Sequence, residues 1–288
     1  MSDVTLSDIV RLNISAEVRV RPLSTRQENF ELSGSRDRLE SFGFKLTEGG
    51  AHISRTIMLK EIMQLLASSP AKASIDDYNR AVVEKNVLGK ATETTRQKTF
   101  RHLRELYALS PSLPIFSIYR ELMKFDPQAA PLLSFLIAWA RDPLLRGTTP
   151  AILRATFGDR VTGDDVQQAL SDAYPHQYSV NNIGKIARNA ASSWTQSGHL
   201  AGRTKKIRSR VEPRPAEVTF ALILGHVGGI AGAQLFSSTW CRLLDLNASE
   251  ARSLAEQAHR HELITLRAIG SVAEISFPRF QQLLKDFQ

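Results

Sequence analysis

The chain has 288 residues and a formal net charge of +8, from 37 Lys and Arg against 29 Asp and Glu. Its single cysteine, Cys241, excludes a disulfide framework or a cysteine-based zinc site within one chain, and its 7% aromatic content suits a nucleic-acid binder better than a carbohydrate binder. The start of the sequence lacks the basic-then-apolar pattern of a secretory signal, so a reducing, cytoplasmic setting is expected.

Residues 1–43 mix Arg19, Arg21, Arg26, Arg36 and Arg38 with acids and are expected to form an N-terminal arm or extension, with a possible edge strand over 14–20. The helical body starts near Leu46. Gly49 and Gly50 mark a turn, residues 53–66 carry helical periodicity through Ile57, Met58, Ile62 and Leu65, and Ser68, Ser69 and Pro70 end it. Ser74 caps a helix over 75–86, with Asp76 and Asp77 at the positive end of its dipole. After a tight turn at Gly89, Thr92 caps a helix reaching about Leu109, with Phe100, Leu103 and Tyr107 inside and Thr94, Lys98 and Arg101 outside. Helix, glycine turn, helix with a Thr/Lys/Arg face is a helix-turn-helix pattern, which an ordinary αα-hairpin shares.

Helices follow at 115–124 and 131–141. The second is apolar nearly all round and belongs in the core. Residues 150–157 read as a further helix. Thr162 starts another that runs to about Tyr174, with Asp164 and Asp165 in its first turn. Residues 220–236 are nearly all apolar but include His226 and Gln234 and are shorter than the ~20 residues of a membrane span, so they read as a buried helix or helix pair. A short helix at 237–245 and one at 250–261, capped by Asn247 or Ser249, precede two alternating runs, 263–268 and 272–277, about Gly270, which form a β-hairpin.

The stretch 173–211 stands apart. It contains no Asp and no Glu, while Lys185, Arg188, Arg203, Lys205, Lys206, Arg208 and Arg210, with His176 and His199, make its field positive. Ser179 caps a helix over 180–197 whose inner face is Ile183, Ile186, Ala187, Ala190 and Trp194. Its outer stripe is Asn181, Lys185, Arg188 and Ser192. Gly198 is placed for a positive-φ stop, and a basic flap follows. An amphipathic core helix beside a solvated loop would give a similar outline, but solvated faces normally mix charge signs. The expectation is a winged helix, its Asn/Lys/Arg/Ser stripe toward the major groove and Arg203, Lys205, Lys206, Arg208 and Arg210 along phosphate. The helix over 92–109, with Thr94, Lys98 and Arg101, is a second, weaker DNA-binding element, because Glu93 and Glu105 dilute its field.

No phosphate-binding glycine loop, nucleophile elbow or metal-ligand spacing occurs, so no catalytic residue, cofactor or metal is expected and the chain reads as a non-enzyme. The run 86–96 (NVLGKATETTR), followed by 101–107 (RHLRELY), resembles the BrxA proteins of the BREX bacteriophage-defence systems. Further likeness lies in 46–51, 132–146 and 179–202, with Ser192, Ser193, Trp194 and Gly198. The resemblance covers roughly 44–288. It implies a mostly helical, non-enzymatic protein with helix-turn-helix units that binds double-stranded DNA within a multi-protein defence system.

The fold expected is mainly α: a helical body with helix-turn-helix and winged-helix units and small β-hairpin wings. Its divisions are an arm (1–43), an N-terminal helical domain (44–145), a central basic winged-helix-like unit (146–212) and a C-terminal winged-helix-like unit (213–288). Double-stranded DNA is the expected partner, with other defence proteins and no membrane. The competing readings are a scaffold that docks an acidic protein through the basic face, and an RNA binder.

Overall fold

The structure is a computed structural model that describes residues 34–70, 72–269 and 272–287. It is mainly helical, with two small antiparallel sheets. The expected strand at 14–20 lies outside the described residues, as do Arg19, Arg21 and Arg26. Helix α1 (Arg36–Phe42) buries Leu39 and Phe42, and the Phe42 ring meets Phe287 edge-on at 5.2 Å, so this segment is fixed to the C-terminal end of the chain.

The helix expected over 53–66 begins later. Residues Ala51–Ile53 form one 3-10 turn, Met58 takes a positive φ of 52°, and α2 runs over Leu59–Ala67. Tertiary bonds explain the delay: the amide of Ile57 donates to Ser193 Oγ and that of Leu59 to Gln196 Oε1, so these donors are held by a distant segment. Helix α3 (Ile75–Asn79) starts on a Ser74–Asp77 capping box and loosens into a π-turn at Arg80–Glu84 before α4 (Glu93–Tyr107), capped by Thr92.

Helices α5 (Pro114–Phe125) and α6 (Ala130–Arg141) follow, and α6 is buried on every side, as its composition requires. Then come α7 (Pro143–Gly147) and α8 (Thr149–Leu153). The helix expected to reach Phe157 stops four residues early, because the chain turns through Gly158, at φ 94°, to set strand β1 (Arg160–Val161). Helices α9 (Gly163–Ala173) and α10 (Val180–Gln196) lead to β2 (Leu200–Ala201) and β3 (Lys206–Arg208), and the strands assemble in the order β1-β3-β2.

Helix α11 (Pro215–Val227) is as buried as α6 and packs against it. The chain continues through α12 (Thr239–Arg242) and α13 (Ala248–Arg260), the latter on an Asn247–Glu250 capping box. Strands β4 (Thr265–Ile269) and β5 (Val272–Ser276) pair from Thr265–Ser276 to Ile269–Val272, the hairpin that alternation and Gly270 predict, and α14 (Gln281–Leu284) and a 3-10 turn at Lys285–Phe287 follow. One contiguous apolar cluster runs from Leu39 to Phe287 and takes residues from each of the stretches 44–145, 146–212 and 213–288. No single helix among the described residues is long and apolar enough to cross a membrane. The pair Pro215–Val227 and Gly232–Arg242 passes by length and composition only together, across a 115° bend.

The start of α11 carries a pH-dependent element. Glu217 is 2% exposed, accepts from the Arg214 amide at 3.0 Å, and is pushed by burial up to about 7. A carboxyl whose folded value is raised favours the folded state in acid, and that contribution is lost as pH rises through the folded value. Glu217→Gln keeps an acceptor for Arg214 without the buried charge. It should therefore raise the denaturation free energy by about 2 kcal/mol at pH 8.5 and change it little at pH 5. Urea titrations at the two pH values check this, and a pH-independent difference would refute it.

Candidate nucleic-acid interface

Helix α10 is built as its sequence demands. Ser179 Oγ accepts from the Asn182 amide at 3.4 Å, Ile186, Ala187, Ala190, Ser193 and Trp194 are buried, and Ile183 is half-buried. Trp194 packs on Phe135 with ring centroids 4.5 Å apart and donates from Nε1 to Thr148 Oγ1 at 2.8 Å. On the opposite side Asn181, Lys185 and Arg188 are exposed and Ser192 is half-buried. The preceding α9 starts on a Thr162–Asp165 capping box, and Gly198 ends the unit at φ 91°. Between β2 and β3 the chain turns at Gly202, where a Cβ would lie 2.3 Å from the Lys205 carbonyl oxygen and φ is 90°, so the turn requires glycine. Arg203, Thr204 and Lys205 are exposed at its tip.

The five cations expected along phosphate divide into three kinds. Arg203 and Lys205 face solvent, and among the described residues no carboxylate lies within ion-pair distance of them, of Lys185 or of Arg188. Lys206 is half-buried and donates to Thr195 Oγ1 at 2.9 Å and the Gly202 carbonyl at 2.8 Å, which ties the turn to α10; burial lowers its pKa. Arg208 is 3% exposed. It donates to the Ile152 carbonyl at 3.0 Å, makes a two-pronged ion pair with Asp245, and lies 4.9 Å over the Phe157 ring. Arg208 is thus a core residue and not a phosphate contact. Arg210 pairs with Glu250 and also lies over Phe157, so its charge is already answered. The acid-free stretch draws its counter-charges from Asp245 and Glu250, beyond its own end.

His199 adds no charge. It is wholly buried, bonded to Ser197 Oγ and the Leu243 carbonyl at 2.8 Å each, and held down to about 4 by burial. His176 is exposed. On α4, Thr94, Lys98 and Arg101 are exposed as expected, Leu103 and Tyr107 are buried, and Phe100 is half-buried. Lys45 donates to Glu105 Oε1 at 2.6 Å, which takes that acid partly out of the α4 surface. The two helical units meet at a cleft lined by Arg55, Lys90, Thr95 and Thr99 on one side and Asn189 of α10 on the other, with Lys90 paired to Glu61. The cleft brings α4 and α10 to one region of the surface.

One constellation has no signature in the sequence. Asp142 Oδ2 lies 2.8 Å from His52 Nδ1, and His52 Nε2 lies 2.8 Å from Ser193 Oγ. This is the hydrogen-bond order of a Ser-His-Asp nucleophile set. All three side chains are fully buried, however, and Ser193 Oγ also accepts from the Ile57 amide at 2.9 Å, so no substrate carbon can approach the hydroxyl. The chain of bonds ties the 51–53 turn, the start of α7 and α10 together. Asn189 Nδ2, donating to the His52 carbonyl at 2.9 Å, adds a fourth link. Among the described residues no three His, Cys, Asp or Glu side chains gather as a metal site would need. No family model matches the chain, and no curated protein matches it.

Proposed function

We propose that the chain is a non-enzymatic, cytoplasmic protein that binds double-stranded DNA, and that residues 146–212 are a winged helix. The support is topological and electrostatic together. Helix, strand, two helices and a strand pair, with the sheet in the order β1-β3-β2, is the arrangement that offers one helix to the major groove and a hairpin to the backbone. The observation that carries the proposal is the outer face of α10. Asn181, Lys185 and Arg188 are exposed there with no acid among them, and the turn bearing Arg203 and Lys205 lies beyond its C-terminal end. Asn and Ser beside Lys and Arg suit base edges and phosphates, whereas a protein-docking face carries aromatic anchors. Helices α3 and α4 are the second, helix-turn-helix element, through Thr94, Lys98 and Arg101. Helix α13 with the β4–β5 hairpin is a third unit of balanced charge, suited to protein contact. The resemblance of 86–96 and 101–107 to BrxA proteins supports reading this activity as part of a phage-defence complex of the BREX kind.

The test is a competition titration of the full chain with matched duplex DNA, duplex RNA and single strands, repeated across salt. Four solvent-facing cations of the principal unit, Lys185, Arg188, Arg203 and Lys205, predict duplex-DNA binding with a log–log salt slope of about −3 to −4, steeper by up to about 2 where Lys98 and Arg101 also meet phosphate. Binding that ignores salt would remove the electrostatic basis. Preference for duplex RNA, or no nucleic-acid binding alongside capture of an acidic protein, would select one of the competing readings.

A further inference from the structure

Among the described residues the most exposed large apolar side chain is Val180, at 81%. It is the first residue of α10, on the Ser179 cap. No packing among the described residues covers it. Valine is a mediocre helix former, it buries little here, and its neighbours Ser179, Asn181 and Asn182 are all exposed and polar. Proceeding inward from this tip, the next surface positions are the Asn181 and Asn182 carboxamides, then the half-buried Gly184 with no side chain, then Lys185 and Arg188, with Asn181 in the same helical stripe as the two cations. A Cβ at Gly184 would already meet Gln167 Oε1 at 3.3 Å and Arg188 Nη1 at 3.6 Å, so this part of the face is kept low.

A branched apolar group beside a carboxamide, with cations behind, matches the major-groove edge of an A·T pair. Thymine presents a C5-methyl group there, and adenine presents an N7 acceptor beside an N6 donor, the pair that an Asn side chain engages with two hydrogen bonds. An acidic protein partner would also satisfy the cations, but it offers no reason for an isopropyl group and a carboxamide at the leading end. We propose that Val180 is a specificity-determining residue that packs on a thymine methyl while Asn181 reads the adjacent adenine, so that a largely sequence-tolerant binder prefers A·T-rich duplex. The proposal rests on α10 entering the major groove.

The experiment uses the full chain, unchanged and as Val180→Ala. The probes are an alternating A-T duplex and the same duplex with every thymidine replaced by deoxyuridine, which removes only the methyl groups. One buried methyl contact predicts that the unchanged chain binds the thymine duplex about three- to fivefold more tightly. In Val180→Ala this ratio falls to about one, while affinity for the uracil duplex and the helical circular-dichroism signal stay the same. Equal binding of the two duplexes by the unchanged chain, or an undiminished ratio in Val180→Ala, overturns the assignment of Val180 and leaves duplex binding standing. Failure to bind either duplex at low salt overturns both.

Discussion

Asp142→Ala is expected to destabilise the protein by about 3–5 kcal/mol, a large part of the roughly 5–15 kcal/mol that holds a typical domain folded. Asp142 is fully buried, and its carboxylate accepts from the His52 amide, from His52 Nδ1 and from the Leu144 and Leu145 amides, at 2.8 to 3.2 Å. Truncation leaves three backbone donors and an imidazole buried without an acceptor, and each such loss exceeds the gain from an average hydrogen bond. Burial alone would raise this carboxyl. The His52 ring and the bonds from His52 and Leu145 outweigh it and hold the group below the usual carboxylate range. The Asp142 contribution is therefore present above its unfolded pKa and is lost as pH falls through the lower folded value. Asp142→Asn keeps the shape and one acceptor and should fall between the parent and Asp142→Ala. Urea unfolding at pH 7 reads the difference, and a loss below about 1 kcal/mol for Asp142→Ala would show that water or a shifted turn replaces the carboxylate. A double-mutant cycle with Ser193→Ala should show coupling, because both residues hold the same imidazole.

That cluster marks the boundary of what the sequence discloses. Ser74, Thr92 and Ser179 are legible as caps, Thr162 as a helix start and Asn247 as one of two candidate caps, because a cap acts on amides two or three residues away. The inner face of α10 and the β4–β5 hairpin are legible because local periodicity marks them. Asp142, His52 and Ser193 are separated by 90 and 141 positions from the histidine outward, and no spacing rule connects them. The same limit misassigned Arg208. Within 173–211 it is one cation among seven, and only folding brings Asp245 against it and Phe157 beneath it. Alternation gives no warning, since it sets Ile207 opposite Lys206 and Arg208, and yet Arg208 is the most buried residue of that short strand. Local charge counting thus describes the field before long-range ion pairs subtract from it, and it overstates the cations available to a ligand.

The corrected set of cations leads to the largest expected effect on binding. Lys185→Glu with Arg188→Glu should weaken duplex-DNA binding by at least about 50-fold at 0.1 M salt and reduce the salt slope by roughly 2, because two contacts are lost and two repulsions replace them. Both side chains are exposed and neither supports the core, so melting should match the parent within a few degrees. Arg203→Glu with Lys205→Glu, at the turn tip, should weaken binding less and about equally for unrelated duplexes, as loss of phosphate contacts does. Lys98→Glu with Arg101→Glu should have the smallest effect, since Glu93 on the same helix already opposes those cations. Arg208→Glu is the contrasting control. It sets a second carboxylate against Asp245 inside the fold, so its loss of binding must come with loss of the folded state. Anisotropy titrations of the three exposed double variants against two unrelated duplexes, with thermal melts of all four proteins, separate these cases. Should the Lys98/Arg101 variant lose the most affinity while melting like the parent, α4 rather than α10 is the principal DNA-binding helix.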